Sequence, residues 1–319
     1  MNDNKMITKP YNSNYKNQLS LLFKKTFKRE LSEAFWNWRF EKNPFGEPII
    51  RVAFFNKLLI ANYLLHPINL QYNSKSIKAL FSMTTMTDPD FVGRGIGTKL
   101  ANEAYHIGKE NKFDLVFGFL NKNSRYMFTK KLGFTELAIM KEIIISVENH
   151  LNFKSNYSCT KITEFDEEHS IFYKSKSKGL SKILIPRTST YLNWRFVRHP
   201  EINYHCYNVK NNEKLVGYFV LKIFQNNKCH IVDFLLDDDI ECFNAIINQT
   251  IKFCKENNIQ KLSLWANSTL QFTKYLSKIG FKNQPMETYF VTKIFSKYID
   301  QDFLNFDNWY ICMSDSDVF

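Results

Sequence analysis

Residues 81–100 read FSMTTMTDPDFVGRGIGTKL. Phe81 to Thr87 is a β-rich run that Asp88-Pro89-Asp90 brings to a stop before the turn Gly93-Arg94-Gly95-Ile96-Gly97. Beyond the turn, Ile96, Leu100, Ala104 and Ile107 recur at the spacing of one buried helical face. Glycines just before a helix let the backbone take angles closed to other residues and turn successive N–H groups towards one point. That point lies at the positive end of the helix dipole, a setting that suits a phosphate. Arg94 places a fixed charge beside it. A dinucleotide fold wants G-x-G-x-x-G, whereas Gly93, Gly95 and Gly97 are spaced G-x-G-x-G. A P-loop wants Gly-Lys-Ser/Thr, which is missing here. On the loop alone, a plain strand-to-helix turn stays open beside a phosphate site.

The next segment narrows the choice. A buried-strand run, Leu115 to Leu120, leads through Asn121-Lys122-Asn123-Ser124 to a short helix closing on Phe128 to Phe134, FTKKLGF. Strand, glycine loop, helix, strand, then a helix ending in Leu-Gly-Phe resembles the GNAT superfamily of acyl-CoA-dependent N-acetyltransferases, over roughly residues 5–145. The family's Arg/Gln-x-x-Gly-x-Gly/Ala pattern falls on Val92-Gly93-Arg94-Gly95-Ile96-Gly97. Gly95 and Gly97 match it, Val92 replaces the leading Arg/Gln, and Arg94 stands by as a substitute phosphate contact.

Composition sets the frame for that resemblance. A chain of 319 residues buries a full core and favours two domains. Hydrophobic content of 44% and charged content of 23% are those of an ordinary globular protein. The formal charge of +12 comes from scattered lysines with no basic tail, so it reads as a solvated surface suited to an anionic co-substrate. Nucleic acid is disfavoured, because no aromatic–basic motif accompanies the charge. Six cysteines without a C-x-x-C pair predict neither a zinc site nor a disulfide framework. With a polar start and no apolar run long enough to span a bilayer, the expectation is a cytoplasmic protein.

In chain order, Met6 to Pro10 reads as a strand and Asn14 to Phe27 as an amphipathic helix. Leu31 to Phe40 reads as a second helix, stopped by Asn43-Pro44-Phe45-Gly46. Trp36 and Trp38 stand too close in sequence to share one helical face. Ile49 to Phe55 and Lys57 to Leu65 form a hairpin about Asn56, and Leu137 to Val147 is a last strand. Landmarks then repeat. Asn37-Trp38-Arg39-Phe40 returns as Asn193-Trp194-Arg195-Phe196, Asn43-Pro44 as His199-Pro200, and Leu132-Gly133-Phe134 as Ile279-Gly280-Phe281. Asn123-Ser124 returns as Asn267-Ser268. The expected fold is therefore α+β or α/β, two tandem GNAT-like domains, each a mixed, mostly antiparallel twisted sheet flanked by helices. The expected boundaries are 1–150 for a domain with an acyl-CoA loop and 151–319 for a degenerate copy. Where the second copy should carry its loop it reads Val232-Asp233-Phe234-Leu235-Leu236-Asp237-Asp238-Asp239, without glycine. Three aspartates repel a pyrophosphate, and they suit the cap of a helix from Ile240 to Asn257 better than a metal.

The resemblance implies roles. The backbone of Met86 and Thr87 would align pantetheine and polarise the thioester. Val92, Gly93, Arg94, Gly95, Gly97 and Thr98 would surround the pyrophosphate, and Asn121 and Asn123 would meet the co-substrate from the following strand. The family's tyrosine acid falls at Thr129, a poor acid, with Tyr126 one turn earlier. His66, Asp88, Asp315 and Asp317 are candidate bases by position, and an amine that is already neutral needs none. The tail NWYICMSDSDVF resembles tandem GNAT proteins found with surface-polysaccharide gene sets. The implied activity is acetyl transfer from acetyl-CoA, without a metal, to a small-molecule amine such as an amino sugar or its nucleotide conjugate. An aminoacyl or peptide N-acyltransferase and a non-catalytic CoA-binding module are the alternatives.

Overall fold

The computed structural model describes residues 6–147, 152–180, 182–224, 227–266 and 272–319. The first half runs β1 (Ile7–Pro10), α1 (Lys16–Phe27), α2 (Glu33–Trp36), β2 (Ile49–Phe55), β3 (Leu58–Tyr72), β4 (Lys75–Thr87), α3 (Ile96–Glu110), β5 (Leu115–Asn121), α4 (Lys122–Tyr126) and β6 (Thr135–Ser146). The second half repeats that order element for element. It runs β7 (Ser158–Ile162), α5 (Glu167–Leu180), α6 (Ser189–Leu192), β8 (Tyr204–Asn211), β9 (Lys214–Phe224), β10 (Lys228–Leu236), α7 (Ile240–Glu256), β11 (Lys261–Ala266), α8 (Thr273–Lys278) and β12 (Lys282–Ile294). The repeat read from scattered tetrapeptides is thus a repeat of whole elements. Its Asn267-Ser268 landmark lies outside the described residues.

The chain forms two compact units, but they are not the two halves cut near residue 150. The first gathers described residues of Met1–Asn69, Ile77–Ala138 and Tyr289–Leu304; the second gathers those of Leu70–Ser76, Ile139–Thr288 and Asn305–Phe319. Long strands are the cause. β6 leaves the first unit and pairs antiparallel with β11 in the second, from Lys141↔Ala266 to Ser146↔Lys261. β12 runs the other way and lies beside β5 in the first unit, where Thr292 Oγ1 donates to the Val116 carbonyl at 3.3 Å. The Phe295 amide donates to the Asp114 carbonyl at 2.8 Å. The tip of the β3–β4 hairpin joins the second unit, with Gln71 and Leu184 exchanging backbone bonds of 2.8 and 3.1 Å. Strand pairing in each unit is mixed: β4–β5 and β10–β11 are parallel, while β1–β2, β2–β3, β7–β8, β8–β9 and β9–β10 are antiparallel.

In the first unit, Ile96, Leu100 and Ala104 of α3 pack on Tyr63, Val116, Leu120 and Phe128 as their spacing predicts, while Ile107, expected on the same face, is only half-buried. Burying one such leucine contributes about 2 kcal/mol. The segment expected as one helix from Leu31 to Phe40 departs from that reading. α2 is capped by Ser32, whose side chain accepts the Phe35 amide, and then widens into a π turn over Asn37–Glu41. The second half does the same, with Thr188 capping α6 before a π turn over Asn193–Val197. The wider turn lets both tryptophans be buried, Trp36 against Phe40 at 4.5 Å and Trp38 against Phe35 at 5.4 Å between ring centroids.

Candidate active site

Gly93 and Gly95 both have positive φ, +83° and +73°, which explains why glycine stands at each. A Cβ built on either meets nothing within 4 Å, so the loop borders open space. Gly95 caps α3 without any side-chain acceptor, leaving the first-turn amides at Ile96, Gly97 and Thr98 without intrahelical partners. Gly97 is tighter, its Cβ position lying 3.4 Å from Met127 Sδ and 3.9 Å from Thr87 Oγ1. Arg94 is held ready: its guanidinium lies 4.9 Å from the Phe91 ring centroid and donates to the Asp90 carbonyl at 3.2 Å. Lys25 of α1 binds Asp88 at 2.6 Å and Asp90 at 2.8 Å, so one cation offsets part of the negative charge before the glycines. Lys25 draws the Asp90 carboxyl below the usual range, first by a hydrogen bond and then by its charge. Val92 is 66% exposed.

Behind the loop the sheet opens. β4 and β5 pair from Ala79↔Leu115 to Ser82↔Gly118 and no further, although β4 runs to Thr87 and β5 to Asn121. At the last rung a Cβ on Gly118 would lie 3.1 Å from the Ser82 carbonyl oxygen. Just beyond it Thr84 has φ +49°, a strained angle for a β-branched residue. That angle breaks the regular alternation of N–H and C=O along the strand. Asn62 Nδ2 donates to the Thr84 carbonyl at 3.2 Å, and the Asp88 amide ties the strand's end to the Ile60 carbonyl at 2.7 Å. Met86 is buried and Thr87 half-buried on this diverging edge.

Asn121 closes the other edge and caps α4 by accepting the Ser124 amide at 2.9 Å; Asn123 is exposed on the same helix. Tyr126 ends α4 with 64% of its surface exposed, next to the Met127 that touches Gly97. Thr129 spends its hydroxyl on the Arg125 carbonyl at 2.8 Å. The structure thus brings the loop residues, Met86, Thr87, Asn121, Asn123 and Tyr126 together in one unit.

The proposed bases fare differently. His66 is buried, with Nε2 donating to the Arg39 carbonyl at 2.7 Å and Nδ1 facing Asn43 Nδ2 at 3.3 Å. Burial first, then the nearby Arg39, brings it down to about 3, so it is a neutral brace. The brace explains the Trp-Arg-Phe…Asn-Pro element, whose arginine carbonyl and asparagine both meet it. Asp88 caps its turn and is paired with Lys25. Asp315 belongs to the second unit, sealed with Arg187 at 2.9 Å, with Asp233 on the same guanidinium at 3.1 Å. One cation between two carboxylates leaves an excess of negative charge. Burial, with Asp233 adding to it, raises the Asp315 carboxyl above its usual range. Its other bond is to the Cys312 amide at 2.7 Å, so Asp315 sits as a structural ion-pair member, unavailable to an acceptor. Asp317 is exposed in the same unit.

Residues 8–137 match the family model for the acetyltransferase (GNAT) domain. Residues 8–137 are a GNAT acetyltransferase domain. Solved structures agree on the fold. A probable N-acyltransferase from Enterococcus faecalis V583 is similar at a TM-score of 0.72 and 14% identity, over 91% of this chain and 72% of that one. A GCN5-related N-acetyltransferase from Anabaena variabilis gives 0.71 at 10% identity, over 90% and 72%. A tandem GNAT protein from the clavulanic acid biosynthesis pathway gives 0.62 at 12% identity, over 91% of this chain and 98% of that one. No curated protein sequence matches the chain. GNAT enzymes are acyl-CoA-dependent N-acyltransferases, with acyl-CoA as co-substrate.

The second GNAT-like half lacks the cradle. Asp239 caps α7 by accepting the Glu241 amide at 2.9 Å and also accepts the Tyr157 hydroxyl. Asp237 and Asp238 face Lys176 at 3.3 and 3.7 Å. Asp239 therefore satisfies its own helix while Asp237 and Asp238 pair with a lysine of α5, and among the described residues no His/Cys/Asp/Glu group could hold a metal. Among the described residues no helix is long and apolar enough to cross a membrane. Sequence reading missed three features around the candidate site: Lys25, the backbone of Thr84, and the β12 residues beside β5. None left a local signal, since Lys25 stands 63 residues before the Asp88 it binds.

Proposed function

We propose that the first half binds acetyl-CoA at the Gly93–Thr98 loop and transfers its acetyl group to an amine. The observation that carries this reading is the uncapped, glycine-lined start of α3 at the mouth of a gap between parallel strands. In this reading the amides at Gly97 and Thr98 hold the pyrophosphate, Arg94 supplies the charge that Val92 lacks, and Lys25 reduces the repulsion from the neighbouring carboxylates. The diverging edge at Thr84–Thr87 aligns the pantetheine arm, and backbone N–H groups there polarise the thioester carbonyl as charge builds on its oxygen. Tyr126 is the group placed to return a proton to the departing thiolate. With Asp315 sealed and His66 braced, the amine attacks in its neutral form without a dedicated base. The acceptor class we favour is an amino sugar or its nucleotide conjugate, supported by the tail's likeness to polysaccharide-linked tandem proteins.

Calorimetric titration tests the donor. Acetyl-CoA is expected to bind wild type at one site per chain and to lose binding to Gly95→Trp, whose side chain would fill the cradle. Absence of wild-type binding would sink the acyltransferase reading. Thiol release from acetyl-CoA, screened across amino sugars, nucleotide amino sugars and aminoacyl amines, then separates the acceptor classes.

A further inference from the structure

If the first half is the acyltransferase proposed above, the acyl group must lie at the closed end of the gap, near Ser82, Thr84 and Gly118. Both faces of that end are filled. On the α3 side, Tyr63 donates to or accepts from Ser82 Oγ at 2.8 Å and Tyr105 at 2.5 Å, with Phe128 packed against it. On the opposite face stands Phe119, the first β5 residue beyond the last rung, and it is half-buried while its supports are sealed. Its ring lies 5.0 Å from Phe290 and 6.2 Å from Phe81, which stacks on Phe117 at 5.2 Å.

We propose that Phe119, backed by Phe290, is the residue that sets the length of acyl chain the enzyme accepts. A chain longer than acetyl has to displace the Phe119 ring, and close packing behind it leaves no room to retreat. Phe290 comes from β12, the last strand of the second half, which here lies within the first unit. The half without a phosphate cradle thereby shapes the donor pocket of the other.

The test titrates CoA, acetyl-CoA and octanoyl-CoA into wild type, Phe119→Ala, Phe119→Trp and Phe290→Leu. Wild type should favour acetyl-CoA over octanoyl-CoA by on the order of tenfold or more. Phe119→Ala should erase that preference while CoA itself binds as in wild type, because the space of a lost ring accepts several methylenes. Phe290→Leu should move the preference part of the way. Phe119→Trp should bring acetyl-CoA down to the affinity of CoA. An unchanged acetyl-to-octanoyl ratio in Phe119→Ala, with CoA still bound, overturns this inference alone. Octanoyl-CoA binding wild type as well as acetyl-CoA does the same. Failure of wild type to bind CoA at all overturns the acyltransferase reading, and the inference with it.

Discussion

His66 shows how a side chain suited to catalysis is turned into a brace. Its two ring nitrogens face Arg39 and Asn43, and burial brings it down to about 3. His230 is similar, bound to Ser263 Oγ at 2.7 Å and brought down to about 4, again chiefly by burial. A histidine that titrates near 6.5 in the unfolded chain takes its proton there first as pH falls. The stability each neutral ring contributes is complete above about pH 6.5 and is lost towards the folded value, at about 1.4 kcal/mol per pH unit per histidine. Melting temperature should therefore fall steeply from about pH 6 to 4, and His66→Gln should be less stable at neutral pH yet show a shallower acid slope. Equal slopes for the two proteins would mean that His66 does not titrate as the structure implies.

Among the elements, the ones readable in advance were those whose cause is local. The glycine loop needs positive φ at Gly93 and Gly95, α3 needs one apolar face, and the Asn56 hairpin needs a tight turn; each leaves its mark within a few residues. The π turns at Asn37 and Asn193 were not readable, because nothing in local propensity separates the wider coil from an ordinary helical turn. Thr84 gave no sign either, since a threonine at positive φ is imposed from outside the strand. Of the aspartate run expected to cap α7, Asp239 does so, while Asp237 and Asp238 pair with Lys176. Asp239→Ala should cost about 1 kcal/mol in chemical denaturation, through the lost cap, and also leaves the Tyr157 hydroxyl without its acceptor. Its hydrogen bond to Asp239 is the main reason that phenol is pushed up to about 12. Acetyl-CoA stoichiometry should stay at one per chain in that variant. A second site appearing would show that the carboxylate alone was keeping phosphate away from α7.

The molecule as a whole is less divisible than its repeat suggests. A cut near residue 150 follows the duplication in sequence, but β6 and β12 have each crossed to the other unit. Nothing local in LAIMKEIIIS or ETYFVTKI announces which neighbour each strand will choose, because pairing is settled by the partner edge it finds. A chain ending at residue 150 keeps the glycine loop, Arg94 and Tyr126 but loses Phe290 and Thr292 from beside β5. β5 would then expose a long apolar edge, Leu115 to Leu120, where the intact protein has β12. The isolated first half should aggregate or bind acetyl-CoA much more weakly than the full chain, and co-expression with residues 151–319 should restore binding. Sedimentation and calorimetry on the three preparations measure this. Full-strength binding by a monomeric 1–150 fragment would mean that the duplicated half, and not the exchanged unit, is what folds.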